Sequence, residues 1–129
     1  MRTLVITILL LSLTATAAHS VGIKVNRNAN PYQVAVEIDR NPLVLGDNRI
    51  EIGITDGSGR IVTDAMVLVN YYMPPMPRMA PMNYKTAADL KGKKYRANMD
   101  LIMAGPWYIR IIINHKGSTV TTKFNVDAQ

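Results

Sequence analysis

Four methionines recur at intervals of three in a proline-braced segment: Met73, Met76, Met79 and Met82, with Pro74, Pro75, Pro77 and Pro81 between them. Thioether sulfur is uncharged and polarisable, so it suits Cu(I), and by the same softness Ag(I), over hard cations. It needs no deprotonation to coordinate and forms no disulfide. The chain has 8 Met and no Cys, so thioether is the only sulfur ligand it offers. Proline forbids a regular helix or an internal strand here. The favoured backbone is polyproline II, whose 3 residues per turn would project all four thioethers along one edge. That helix rises about 3.1 Å per residue, which sets successive methionines about 9 Å apart and the outer two about 28 Å apart. A straight segment therefore cannot bring four sulfurs onto one ion. Either the loop folds back, or some of its methionines join ligands from neighbouring strands.

The second source of ligands is Met99 and Met103, which share one strand face, with Met66 just before the loop as a further neighbour. The metal-ligand set read from the sequence is Met73, Met76, Met79, Met82, Met103 and Met99. Each has an apolar reading beside it, because methionine also fills cores and lines protein-contact surfaces. His115 is an outside candidate whose position in a hairpin turn reads as exposed and idle.

Most other chemistry is excluded by composition. Without Cys there is no disulfide framework, no thiolate zinc site and no cysteine nucleophile. The two histidines, His19 and His115, leave little room for a histidine-rich metal site, and neither suits a Ser-His-Asp arrangement. The nine acids fall mostly in turns or on the polar phase of strands, not as the paired carboxylates of a glycosidase. No enzymatic activity is expected and no catalytic residue is assigned.

The elements that must position the methionines are strands. Tyr32, Val34, Val36 and Ile38 alternate with polar or small residues, as do Ile50, Ile52 and Ile54, the period of 2 of a half-buried strand. Asp56-Gly57-Ser58-Gly59 is a hairpin turn signal. Ala65 to Tyr72 is β-branched and aromatic. Tyr95, Ala97, Met99, Leu101 and Met103 form one face, and Trp107, Ile109, Ile111 and Ile113 another. His115-Lys116-Gly117-Ser118 closes a hairpin onto Thr119 to Val126. The pattern predicts an all-β fold: a single immunoglobulin-like β-sandwich of about seven strands. Only Thr86 to Leu90 suggests helix, and then one turn. The compositional break at residues 73–85 is the Met/Pro-rich loop, long and biased enough to be functional.

The N-terminus reads as an export signal, with Arg2, an apolar stretch of 10 residues from Leu4 to Leu13, and small residues at Ala15-Thr16-Ala17-Ala18. This predicts a cleavable signal peptide over 1–18, a sandwich domain over 19–129 and a periplasmic or otherwise extracytoplasmic location. Cleavage after Ala18 would expose the amine and imidazole of His19 as a copper(II) chelate. A spanning helix needs about 20 apolar residues, so membrane attachment is expected only if the signal stays uncleaved. The net charge of +6 would suggest nucleic acid in a cytoplasmic protein. Here the densest run, Lys91-Gly92-Lys93-Lys94, reads as a solvated turn. No basic stripe with interleaved aromatics is visible, and no nucleic-acid partner is expected.

Several segments together resemble the YtkA-like/FixH family of small extracytoplasmic domains. They are Gly46-Asp47-Asn48 ahead of Ile50, Ile52, Ile54 and Asp56; Gly59 with Val62, Asp64, Ala65 and Val67; Met73-Pro74-Pro75-Met76-Pro77; and Tyr95-Arg96-Ala97-Asn98-Met99-Asp100-Leu101, continued by Met103-Ala104-Gly105-Pro106-Trp107. The resemblance covers roughly Leu43 to Val126 and implies an immunoglobulin-like sandwich. It also implies an association with copper handling or cytochrome oxidase biogenesis, with Met73, Met76 and Met103 as the matching positions. FixH-type members keep a membrane anchor, whereas this sequence reads as carrying a cleavable signal. The combined expectation is a small exported metal-binding protein that takes up and transfers Cu(I) or Ag(I) through Met thioethers, with a metal-transport or oxidase-assembly protein as partner. The alternative is a non-enzymatic interaction module whose apolar Met/Pro edge docks a protein.

Overall fold

The computed structural model describes residues 22–129; the expected signal segment at 1–18 and His19 lie outside the described residues. Eight strands follow one another: β1 (Ile23–Ala29), β2 (Tyr32–Ile38), β3 (Gly46–Thr55), β4 (Met66–Tyr72), β5 (Asn83–Lys91), β6 (Lys94–Leu101), β7 (Gly105–His115) and β8 (Ser118–Ala128). Their spatial order is β1-β2-β3-β6-β5-β4-β7-β8. Every neighbouring pair is antiparallel.

The two-layered shape comes from β5. Its first part, Asn83 to Ala88, pairs with β4, and its last part, Asp89 to Lys91, pairs with β6. The strand thus turns a corner between the layers. With β1 set aside, one layer reads β2-β3-β6 with the last part of β5, and the other reads β4-β7-β8 with its first part, the strand order of an immunoglobulin-like sandwich. The far edges also approach, because Leu43 forms a parallel bridge to Ala128, with Gln129 N–H donating to the Leu43 carbonyl at 2.8 Å. The sheet is nearly closed.

Alternation explains why these segments pair in this way. Val34, Val36 and Ile38 on β2, Ile50, Ile52 and Ile54 on β3, and Trp107, Ile109, Ile111 and Ile113 on β7 all point inward and are buried. Each fully buried aliphatic side chain stabilises the fold by about 1.5–3 kcal/mol relative to its exposed state, and a one-residue slip would reverse the whole set. The core is then closed by Tyr95, whose hydroxyl donates to the Val62 carbonyl at 3.1 Å and accepts from the Ala65 N–H at 3.0 Å. Burial pushes the Tyr95 phenol above its ordinary value of 10.0, partly opposed by the Ala65 hydrogen bond and reinforced by the Asp64 charge.

The all-β expectation holds, with three differences of detail. There are eight strands and not about seven, and the two that the alternation pattern leaves unmarked are edge strand β1 and corner strand β5. Thr86 to Leu90 is part of β5 and makes no helical turn, since pairing to β4 and β6 overrides a weak local preference. The Met/Pro loop is consequently shorter than 73–85, because β5 already begins at Asn83.

Candidate functional site

Strand direction collects the methionines at one end of the sandwich. The β4–β5 connection carries the Met/Pro loop, and the β6–β7 connection carries Met103 and Gly105. The β2–β3 connection joins them there, because Gly46 pairs with Leu101 and Leu43 bridges to Ala128, which itself pairs with Gly105. Asn48 fixes that third connection from a fully buried position. Its Nδ2 donates to the Val44 carbonyl at 2.7 Å and the Gly46 carbonyl at 3.1 Å, while its Oδ1 accepts from Val44 N–H at 3.0 Å.

The Met/Pro loop folds back instead of extending. Met73 N–H donates to the Met82 carbonyl at 3.0 Å, which adds one rung to the β4–β5 ladder. Near the tip, Met79 N–H donates to the Met76 carbonyl at 3.3 Å, with Arg78 in the left-handed region at φ 65. Of the two arrangements the spacing leaves open, the loop takes the fold-back, and no straight polyproline II edge forms. The prolines spare both of these donor N–H groups, so a closed tip remains open to the chain.

Folding back separates the thioethers by environment. Met73 is buried, Met76 and Met82 are half-buried against the core, and Met79 is exposed at 40%. Met103 is half-buried in the neighbouring turn, where its carbonyl accepts the Trp107 indole N–H at 2.9 Å. The Met73 methyl carbon lies 3.1 Å from where a Cβ on Gly105 would stand, so Met73 packs on the turn that holds Met103. Met99 is fully buried inside β6 opposite Asn48. Met66 stands at the other end of β4, paired with Asn114 and 67% exposed. The structure thus brings Met73, Met76, Met82 and Met103 to one end, leaves Met79 at the rim, and places Met99 in the core.

An aromatic wall backs this end. Tyr71, Tyr84 and Trp107 form a triangle with ring centroids 5.5, 6.1 and 6.5 Å apart. The Tyr71 hydroxyl accepts the Asp100 N–H at 3.4 Å. Among the described residues, no three His, Cys, Asp or Glu side chains cluster so as to hold a metal ion. Asp47, Asp100 and Asp127 also stand toward the methionine end without clustering, and the thioethers there are the donors matched to a soft monovalent ion.

One buried cluster escapes the sequence reading. His115 is 8% exposed, not an idle turn residue. Its Nδ1 lies 2.7 Å from the Tyr32 hydroxyl and its Nε2 2.8 Å from Asp64 Oδ1. The inward phase Trp107, Ile109, Ile111, Ile113 continues to position 115, and this phase is the signal that predicts its burial.

The fold and this end define a small immunoglobulin-like domain presenting thioethers beside an aromatic wall. The model of the YtkA-like family matches residues 26–112, and the chain belongs to that family. The match begins within β1 and takes in the Met/Pro loop and Met103, but ends before β8. No curated protein matches the chain.

Proposed function

We propose that this domain is an exported binder of Cu(I), or by the same chemistry Ag(I), that takes up and hands on the ion by reversible thioether coordination. The supporting observation is the gathering of Met73, Met76, Met82 and Met103 at one end, partly sunk against the core. Partly buried thioethers are pre-positioned, which lowers the ordering cost of binding, while exposed Met79 at the rim suits entry of the ion. An uncharged sulfur set leaves a monovalent ion loosely enough held for transfer to a metal-transport or oxidase-assembly protein. No step requires a catalytic residue.

Anaerobic titration with Cu(I) against a chromogenic chelator tests the reading. The protein carrying Met73→Leu, Met76→Leu, Met82→Leu and Met103→Leu loses the tightest binding, while Met66→Leu, altered at the opposite end, keeps it. Equal affinity in the two variants overturns thioether ligation at this end.

A second reading has its own observation. Leu45 (53%) and Ile102 (58%) are exposed beside the Gly46–Leu101 pair, so the methionine end also presents an apolar rim. In a protein-docking module the same leucine variant would keep partner binding, and metal would not change it.

A further inference from the structure

The two outer faces of the sandwich differ in charge. On the β2-β3-β6 side, cations stand beside acids, with Lys94 3.9 Å from Glu37 and Arg96 2.8 Å from Glu51. On the other side, β4 and β7 contain no carboxylate, β8 contributes only Asp127, at the methionine end, and β5 contributes only Asp89, in the part that pairs with β6. Cross-strand register lines up Lys85, Asn70, Arg110 and Lys123 in one row across β5, β4, β7 and β8. Among the described residues, none of the three cations in that row has a salt-bridge partner. The next row carries Tyr72 beside Tyr108, stacked at 5.3 Å with 22° between ring planes.

The cations lie against these rings instead of against acids. Arg110 Cζ is 5.5 Å from the Tyr72 centroid and Lys123 Nζ is 5.2 Å from the Tyr108 centroid. Each ring thus has one side covered by the other ring and a cation near its π-system, an attractive arrangement in itself. Stacking of a nucleobase or a sugar needs an open ring side, and this pair offers little. What the surface presents outward is a sheet of hydroxyls, ammonium groups and a guanidinium, all suited to phosphate oxygens. Tyrosine also favours the headgroup level of a bilayer, where its ring and hydroxyl meet different media.

We propose that the outer face of β5, β4, β7 and β8 docks the domain on an anionic phospholipid surface through Lys85, Arg110 and Lys123, with Tyr72 and Tyr108 at headgroup level. A plane of phosphates meets all three cations of the row together. The methionine end adjoins this face through Tyr72 and Met73, so docking holds that end near the bilayer. The docking itself needs no metal.

Co-sedimentation of the full chain with vesicles of phosphatidylcholine containing 30% phosphatidylglycerol, compared with phosphatidylcholine alone, tests it. The ratio of the two partition coefficients cancels any binding common to both surfaces. Each basic residue at an anionic surface contributes about fivefold. The variant K85Q/R110Q/K123Q therefore lowers the ratio about a hundredfold, and K85Q/K123Q, which spares half-buried Arg110, about twenty-five-fold. The control K24Q/R27Q/K93Q, on β1 and the β5–β6 turn, removes the same net charge elsewhere and keeps most of the preference. An equal loss in the control, no loss in K85Q/K123Q, or binding to heparin or an acidic peptide with none to vesicles overturns the proposal.

Discussion

Met73 and Met82 meet across the neck of the Met/Pro loop, the N–H of the first donating to the carbonyl of the second at 3.0 Å. That one bond makes the loop a closed hairpin tip, and it carries the Met73 side chain inward onto Gly105. The β4–β5 ladder and the β6–β7 turn are thereby coupled through a methionine that is also a candidate ligand.

Gly105→Ala tests the coupling. Gly105 has φ +125, where an L side chain is strained, and its Cβ would stand 3.1 Å from the Met73 methyl carbon. The methyl end can shift by a few tenths of an ångström, whereas the backbone strain remains. The expected loss is about 1–3 kcal/mol of stability in urea unfolding, together with weaker Cu(I) binding. Unchanged stability would show that neither the backbone strain nor the contact matters.

His115→Ala should cost more than Asp64→Asn. Removing the imidazole leaves the buried Tyr32 hydroxyl without its partner, a loss of about 1–3 kcal/mol plus packing. The Asp64 side chain is 70% exposed, so its contact with His115 is discounted by solvent to about 1 kcal/mol or less. Thermal unfolding of the two variants reads the order directly, and a reversed order would move the weight of the cluster to Asp64.

Acid should loosen the Asp56 turn before the sandwich. Asp56 Oδ1 accepts from the Ser58 hydroxyl at 2.8 Å, Ser58 N–H at 2.9 Å and Arg60 N–H at 3.0 Å. The Ser58 hydroxyl bond leads in holding this carboxyl below its ordinary value of 3.8, helped by the backbone donors. A depressed folded value means the contribution is fully present above 3.8 and is lost as pH falls through the lower folded value. Amide shifts of Ser58 and Arg60 followed by NMR should move together in that window, and Asp56→Ala should remove the transition.

The fold was legible wherever one strand face is buried and the other is wet. Val34, Val36, Ile38 and Ile50, Ile52, Ile54 announce themselves by period alone. Edge strand β1 does not, since only Ala29 in it is buried. Nor does β5, whose Thr-Ala-Ala-Asp-Leu run gains its strand conformation from two different neighbours. The place of the methionine loop was readable from composition. Its conformation was not, because the choice between an extended edge and a closed tip rests on the Met73–Met82 bond. Tyr72 lies far in sequence from Tyr108, Arg110 and Lys123, and only the register of β4, β7 and β8 makes them neighbours.

Oxidation can rank the methionines by access and then report on metal. Conversion to sulfoxide requires the oxidant to reach sulfur, so dilute peroxide should modify Met66 first, at 67% exposure, and Met79 next, at 40%. Half-buried Met76, Met82 and Met103 should follow, with Met73 and Met99 last. Ag(I) serves as the probe ion here because it shares the softness of Cu(I) without its ready reaction with peroxide. If thioethers at this end hold the ion, Ag(I) should slow oxidation of Met76, Met82 and Met103 while leaving Met66 unchanged. Peptide mass spectrometry over a time course resolves each site. Equal slowing at Met66 would mean that the ion merely consumes oxidant, and no slowing at the loop would remove Met76 and Met82 from the ligand set.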